Sequence, residues 1–242
     1  LIEYFSADWC DPCLQVSDQL NNHSENMSVI LQHHPSALDE TFLSDSKLRF
    51  DLEYRLLFYP SIVVDGSFLL TGSRQAMDLN TTMHNSTTNW SGFDSIEYVN
   101  GTLSWNASTG EVVRIWQLEP TPHTSLNRTH TNLARQLVAV PLNASSVAIE
   151  TRDLPANTTF VVMLENEGIR QLSAGSLAPT GLVDVSPDDD MATAQVSSLS
   201  PSNLALIVAA FLIALLAPAF VLQRNIMVGG RQQDVPTRQA EE

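Results

Sequence analysis

The chain has 242 residues, 43% of them hydrophobic and 16% charged, which is enough apolar material for a packed core and rules out wholesale disorder. Twenty-seven Asp and Glu stand against 12 Lys and Arg, a formal net charge of -15, so a phosphate backbone is a poor partner and no nucleic-acid binding is expected. The two cysteines, Cys10 and Cys13, leave no long-range disulfide framework and no four-cysteine zinc site within one chain.

In chain order, residues 1–5 (LIEYF) are an apolar run that predicts a strand, and residues 12–21 predict a helix. Pro12 sits in its first turn, where a missing N–H costs no hydrogen bond. Residues 29–32 predict a second strand, 42–57 a helical stretch, and 61–64 with 67–71 a hairpin turning at Asp65-Gly66. This mixed α/β order is expected to fill a first domain, residues 1–84. Residues 80–92 (NTTMHNSTTNWSG) read as a loop, with the linker placed at 85–94.

Beyond the linker, residues 95–99, 102–105, 112–118, 133–140, 147–151 and 160–164 are short β-branched or aromatic runs separated by Asn, Gly and Pro. They predict an all-β, sandwich-like domain over residues 95–172, with Trp90, Trp105 and Trp116 taken as core or surface aromatics of the β domain. Residues 173–203 are rich in Ser, Pro, Ala and Asp without apolar periodicity and read as a stalk.

Residues 204–222 (LALIVAAFLIALLAPAFVL) carry no charge and, at 1.5 Å per residue, are long enough to cross a hydrocarbon layer as one transmembrane helix. Arg224, Arg231 and Arg238 follow this run, whereas Asp184, Asp188, Asp189 and Asp190 precede it, so the tail, residues 223–242, is expected in the cytoplasm and the N-terminal region outside. Asn-x-Ser/Thr triplets agree with that side. There are ten, at Asn22, Asn26, Asn80, Asn85, Asn89, Asn100, Asn106, Asn127, Asn143 and Asn157, against about three expected by chance for this composition. A glycosylated, extracytoplasmic surface is the expectation.

Trp9-Cys10-Asp11-Pro12-Cys13 follows a predicted strand and opens a predicted helix. In that setting two thiols three residues apart suit redox exchange better than half a zinc site. Unpaired N–H groups at a helix start favour a thiolate on Cys10, and Cys13, one turn on, is placed to resolve a mixed disulfide. Asp11 opposes this, because a neighbouring carboxylate raises a thiol pKa.

Here the sequence resembles the thioredoxin superfamily. Residues 2–13 (IEYFSADWCDPC) look like the family's strand and W-C-x-x-C, and residues 59–66 (YPSIVVDG) look like its cis-proline segment, strand and turn. The resemblance implies that Cys10 and Cys13 are catalytic, that Pro60 is cis and lies against them, that Tyr59 and Pro60 shape a substrate groove, and that Trp9 covers the pair. It implies no cofactor, with protein thiols or disulfides outside the cytoplasm as partners. The order of segments, including VILQHHP at 29–35, VRIWQLE at 113–119 and HTNLAR at 130–135, is also similar to secreted thioredoxin-like proteins related to the outer-membrane protein family of Bacteroidetes, which add a C-terminal β domain. A fibronectin-III-like sandwich, suggested by LPANTTF at 154–160, is the alternative for that half.

Two departures stand out. The chain begins in a strand, without Met and without the strand and helix that precede it in most thioredoxins, which suggests a removed leader or a trimmed domain. Six residues before Cys10, where many family members keep a buried carboxylate, this chain has Tyr4, and Glu3 next to it is expected to face the other side of the strand. His23, His33, His34, His84, His123 and His130 show no i, i+4 pair, so they are expected at the surface with no metal bound, and Asp188 to Asp190 lack the pattern of a calcium loop. The leading expectation is a membrane-anchored, extracytoplasmic thiol–disulfide oxidoreductase. The alternative is a non-catalytic, glycosylated adhesion or scaffold ectodomain that keeps the thioredoxin-like fold as a platform.

Overall fold

The computed structural model describes residues 1–22, 28–86 and 92–180. Strand β1 (Ile2–Phe5) is buried at every position, the charged Glu3 included, as a central strand covered on both faces is. The chain turns through residues 6–10 into helix α1 (Asp11–Asn21), whose Cys13, Val16 and Leu20 face the core at helical spacing. Strand β2 (Ile30–His33) pairs parallel with β1. Helix α2 (Ser44–Leu48) continues as a π-helical turn, Arg49–Glu53, within the expected helical stretch. Strands β3 (Ser61–Val64) and β4 (Phe68–Thr71) form the expected hairpin, with Asp65 and Gly66 both at positive φ, the backbone that a tight two-residue turn needs.

After β4 come two helices that the sequence reading lacks, α3 (Gly72–Ala76) and α4 (Leu79–Asn85). Residues 80–85 were expected as loop. They are helical because Leu79 and Thr82, one turn apart, bury themselves and anchor a polar outer face.

The remaining strands are β5 (Ser95–Val99), β6 (Thr102–Asn106), β7 (Val112–Pro122), β8 (Thr129–Pro141), β9 (Ser146–Ala148), β10 (Thr159–Glu165) and β11 (Ser173–Ala174). They fall into two sheets with few helices between them. One is a mixed eight-stranded sheet in the order β10-β7-β8-β2-β1-β3-β4-β11, and the other is antiparallel, β5-β6-β9. The large sheet runs on across the sequence segment expected as a linker, since β2 meets β8 at Gln32 and Leu133. Ser173 and Ala174, expected as the start of a stalk, instead add a short parallel strand to the β4 edge, whose backbone would otherwise be unpaired there.

Four apolar cores follow from these layers. Ile2, Tyr4, Cys10, Cys13, Val16, Ile62, Val64 and Leu79 pack on one face of the first half. Phe5, Phe50, Tyr54, Leu56 and Val63 pack on the other. Leu31 joins Trp116, Leu118, Ala134 and Met163 across the β2–β8 junction. In the second half Leu103 and Trp105 of the small sheet pack on Val113 and Ile115 of the large one, a two-layer β arrangement.

One polar network lies among these cores. Arg49, with no exposed surface, donates to both oxygens of Glu3, to Glu53 Oε2 at 2.8 Å and to Glu165 Oε1 at 2.7 Å. Arg114 reaches Glu53 at 2.6 Å and Glu165 at 3.2 Å, Arg170 lies 3.3 Å from Glu165, and the Tyr54 hydroxyl donates to Glu3. Three acids are thus met by three guanidinium groups. Burial alone would push Glu3 up, but Arg49 and the hydrogen bonds from His33 and Arg49 hold it well below the usual carboxylate range. Removing one member of such a group strands the others, so Arg49→Ala is expected to cost about 3–5 kcal/mol in chemical unfolding, whereas substitution of Lys47, which pairs Asp51 at 2.8 Å on the surface, costs roughly 0–1 kcal/mol.

Among the described residues no helix is long and apolar enough to cross a membrane, and the charge-free run 204–222 lies outside them, as does the tail.

Candidate functional site

The cysteines lie where the sheet hands the chain to α1. Cys10 is the N-cap residue, with extended backbone (φ -93°, ψ 95°) and no side chain capping the helix. Its carbonyl accepts from the Cys13 N–H at 2.9 Å, which closes the first turn and brings the two side chains together. They are joined, with S–S 2.08 Å and Cα atoms 5.3 Å apart. Both are buried, at 5% and 3% exposure, and belong to the core that α1 lays against β1 and β3.

Tyr4 occupies the position beneath the pair. Its hydroxyl donates to the Cys13 carbonyl at 2.7 Å and lies 3.2 Å from Ser17 Oγ, so it ties the first two turns of α1 to β1. Burial raises its phenol pKa, which makes this group a fixed donor rather than a proton acceptor. Glu3 points to the opposite face and is committed to Arg49, as strand alternation requires.

An aromatic rim borders the buried sulfurs. Trp9 is 54% exposed, meets the Tyr59 ring edge-on at 5.7 Å and donates Nε1–H to Ser36 Oγ at 3.0 Å. Tyr59 also packs on Phe50, with ring centroids 5.0 Å apart, and against the core that holds both cysteines. The Tyr59–Pro60 peptide is cis and Pro60 is buried. Burial, with the nearby Asp51 and Asp39 carboxylates, pushes the Tyr59 phenol up to about 12. Leu38, Leu57 and Phe58 are exposed apolar side chains on the two loops that carry Ser36 and Tyr59.

The histidines depart from the surface expectation. His33, His34, His123 and His130 are all buried, because each imidazole has a polar partner inside the protein, and only His84 of the five described is exposed. His33 Nδ1 meets Ser46 Oγ at 2.9 Å and His34 Nδ1 meets Thr41 Oγ1 at 2.6 Å. His130 Nε2 lies 2.8 Å from Asp8 Oδ1, and His123 Nε2 lies 3.7 Å from the same oxygen. Asp8, His123 and His130 could together hold a metal ion, since their ligand atoms fall within 4.8 Å of one another. The signal for His130 was present as alternation in THTNLAR, where His130 and Ala134 are buried and Thr129 and Thr131 exposed. Its pairing with a residue more than a hundred positions away was not.

Burial lowers His34 to about 3, with the His130 charge adding to the effect, and burial likewise lowers His33 and His130. Asp8 is pulled below its ordinary value: burial works against ionisation, but hydrogen bonds from Thr124 and His130 outweigh it. Asp39 goes the other way, raised by burial to about 6. Its Oδ1 accepts the Asp8 N–H at 3.0 Å, and its Oδ2 has no hydrogen-bond partner.

Of the ten sequon asparagines, Asn22, Asn80, Asn85, Asn100, Asn106, Asn127, Asn143 and Asn157 are exposed, and Asn26 and Asn89 lie outside the described residues, as do Trp90 and His23. Trp105 and Trp116 are buried in the β half.

No family model matches the chain, and no curated protein matches it. A structural-genomics crystal structure of an Agrobacterium tumefaciens protein is similar over 67% of this chain and 77% of its own, with 13% identity and a TM-score of 0.45, a likeness too slight to argue from.

The opposed shifts give a test by acidity. A raised Asp39 binds its proton more tightly folded than unfolded, so it costs stability as pH rises from about 4 through about 6. Asp39→Asn is therefore expected to raise the melting temperature at pH 7.5 and to change it little at pH 4, read by thermal unfolding at both values. The lowered histidines act with the opposite sign, since unfolding near pH 5 takes up protons that the folded rings refuse, so the parent chain itself is expected to lose stability below about pH 6.5.

Proposed function

We propose that the chain is a membrane-anchored, extracytoplasmic thiol–disulfide oxidoreductase whose Cys10–Cys13 pair exchanges with protein thiols. The observation that carries this reading is the placing of both cysteines in the first turn of α1, with Cys10 at the cap, beside a partly exposed aromatic rim. As oxidant, the pair takes two electrons. A substrate thiolate attacks Cys10 Sγ, the Cys10–Cys13 bond breaks and Cys13 leaves as thiolate. A second substrate thiolate then attacks the substrate sulfur of the mixed disulfide and releases the Cys10 thiolate. The substrate leaves as a disulfide. The open N–H groups at the start of α1 favour the Cys10 thiolate, and Asp11, exposed next to it, opposes it.

The apolar run 204–222 and the arginines after it support anchoring, and the exposure of all eight described sequon asparagines supports a sugar-bearing surface. A scaffold reading is favoured by one observation, the burial of both cysteines above a phenol that accepts no proton. The test is disulfide exchange with a model dithiol by the full chain in detergent. Cys10→Ser is expected to reduce the rate to that of buffer alone. An unchanged rate, or a disulfide potential below about -300 mV, in the range of structural bonds, overturns the enzyme reading in favour of the scaffold.

A further inference from the structure

Asp8, His123 and His130 come from three separate places: the turn between β1 and α1, the chain just after β7, and strand β8. Asp8 is half-buried and the two histidines are buried, with side-chain exposures of 5%, 1% and 6% in that order. We propose that they form a binding site for a divalent transition-metal ion of the zinc type, held by one carboxylate oxygen and two imidazole Nε2 atoms, with the remaining position open.

The two separations from Asp8 Oδ1 are of the size that a shared ion needs. Two donor atoms that each lie about 2.0–2.2 Å from a tetrahedral ion are about 3.3–3.6 Å apart. The observed separations from Asp8 Oδ1, 2.8 Å to His130 Nε2 and 3.7 Å to His123 Nε2, bracket that value. The longer one is beyond a hydrogen bond, so the hydrogen-bonded arrangement uses one imidazole of the two aimed at this oxygen. The rings of His123 and His130 lie 5.3 Å apart at 24°.

The surroundings also suit a metal. The Thr124 N–H donates to Asp8 Oδ2 at 3.1 Å, which fixes the carboxylate and leaves Oδ1 for the ion. The Gln32 amide nitrogen lies within 3.3 Å of Ser6 Oγ, His34 Nε2 and His130 Nδ1, three neighbours for two hydrogens. Turned by 180°, the same amide offers its carbonyl to His130 Nδ1–H and frees Nε2 for the metal. The backbone N–H groups of Ser125 and Leu126 approach His123 Nδ1 at 3.2 and 3.3 Å, which leaves that ring's proton on Nε2 in the metal-free chain, so binding through Nε2 moves the proton to Nδ1 and opens these two contacts. Asp39 Oδ1 accepts the Asp8 N–H at 3.0 Å, which fixes the backbone that carries the carboxylate. Asp8 is two residues from Cys10, so an ion here pins the turn that carries the cysteines to the β7–β8 hairpin. The site does not depend on the pair being redox-active.

The untagged full chain, disulfide intact so that no thiol competes, is stripped with chelator and titrated with Zn²⁺ and, for its visible spectrum, Co²⁺. One ion per chain and a cobalt spectrum of nitrogen and oxygen ligands are expected, with Zn²⁺ raising the melting temperature. His130→Ala is expected to weaken binding by at least about tenfold, and His84→Ala, at an exposed histidine, to leave it unchanged. Asp8→Asn preserves the shape of the site and is expected to abolish the zinc-dependent rise in melting temperature. No uptake by the parent chain, or parent-like affinity in both Asp8→Asn and His130→Ala, overturns the proposal.

Discussion

The buried Arg49 cluster is the contact on which the architecture depends. Glu3 comes from β1, Arg49 and Glu53 from the π-helical turn, Arg114 from β7 and Glu165 from β10, so one group of charges holds both halves of the chain in register. Burying charges costs several kcal/mol per ion, and the cost is offset only when every partner is present and bidentate geometry is used, as Arg49 uses it on Glu3. Tyr54 and His33 then complete the shell around Glu3, with His33 Nε2 at 3.3 Å and its ring stacked on Phe5 at 4.6 Å. A hydrophobic core tolerates sliding of one layer on another, but this group does not, because a shift of one residue in β1 would exchange Glu3 for Tyr4.

That exchange shows how strand alternation divides the labour of β1. Glu3 serves the ionic face, and Tyr4 serves the face under α1, where its hydroxyl holds the carbonyl of Cys13. The phenol satisfies a backbone acceptor in the first turn of α1, something a carboxylate at that position could not do. Tyr4 at this position therefore stiffens the turn.

The elements with strong local signals were legible in the sequence. β1, α1, the β3–β4 hairpin at Asp65-Gly66 and the six runs of the second half stand out because apolar periodicity and turn residues are local properties. Helix α4 was hidden by its own composition: Asn, Thr and His over residues 80–85 resemble a loop, and only burial of Leu79 and Thr82 overrides that. Ser173 and Ala174 carry no strand propensity and are recruited by an edge. The cysteines declared themselves by spacing, but Asp8, Gln32, His123 and His130 did not, since residues 8 and 130 meet only once β8 is laid beside β2. Long-range juxtaposition of single polar residues leaves no period to read.

The exposed sequon asparagines end α1, lie along α4, or belong to the β half, and none lies on the loops that carry Trp9, Leu38 or Phe58. Sugars at those positions would leave the aromatic rim free of acceptor sites. On a chain coated in that way, the loops that carry Trp9, Leu38 and Phe58 would bear no sugar of their own.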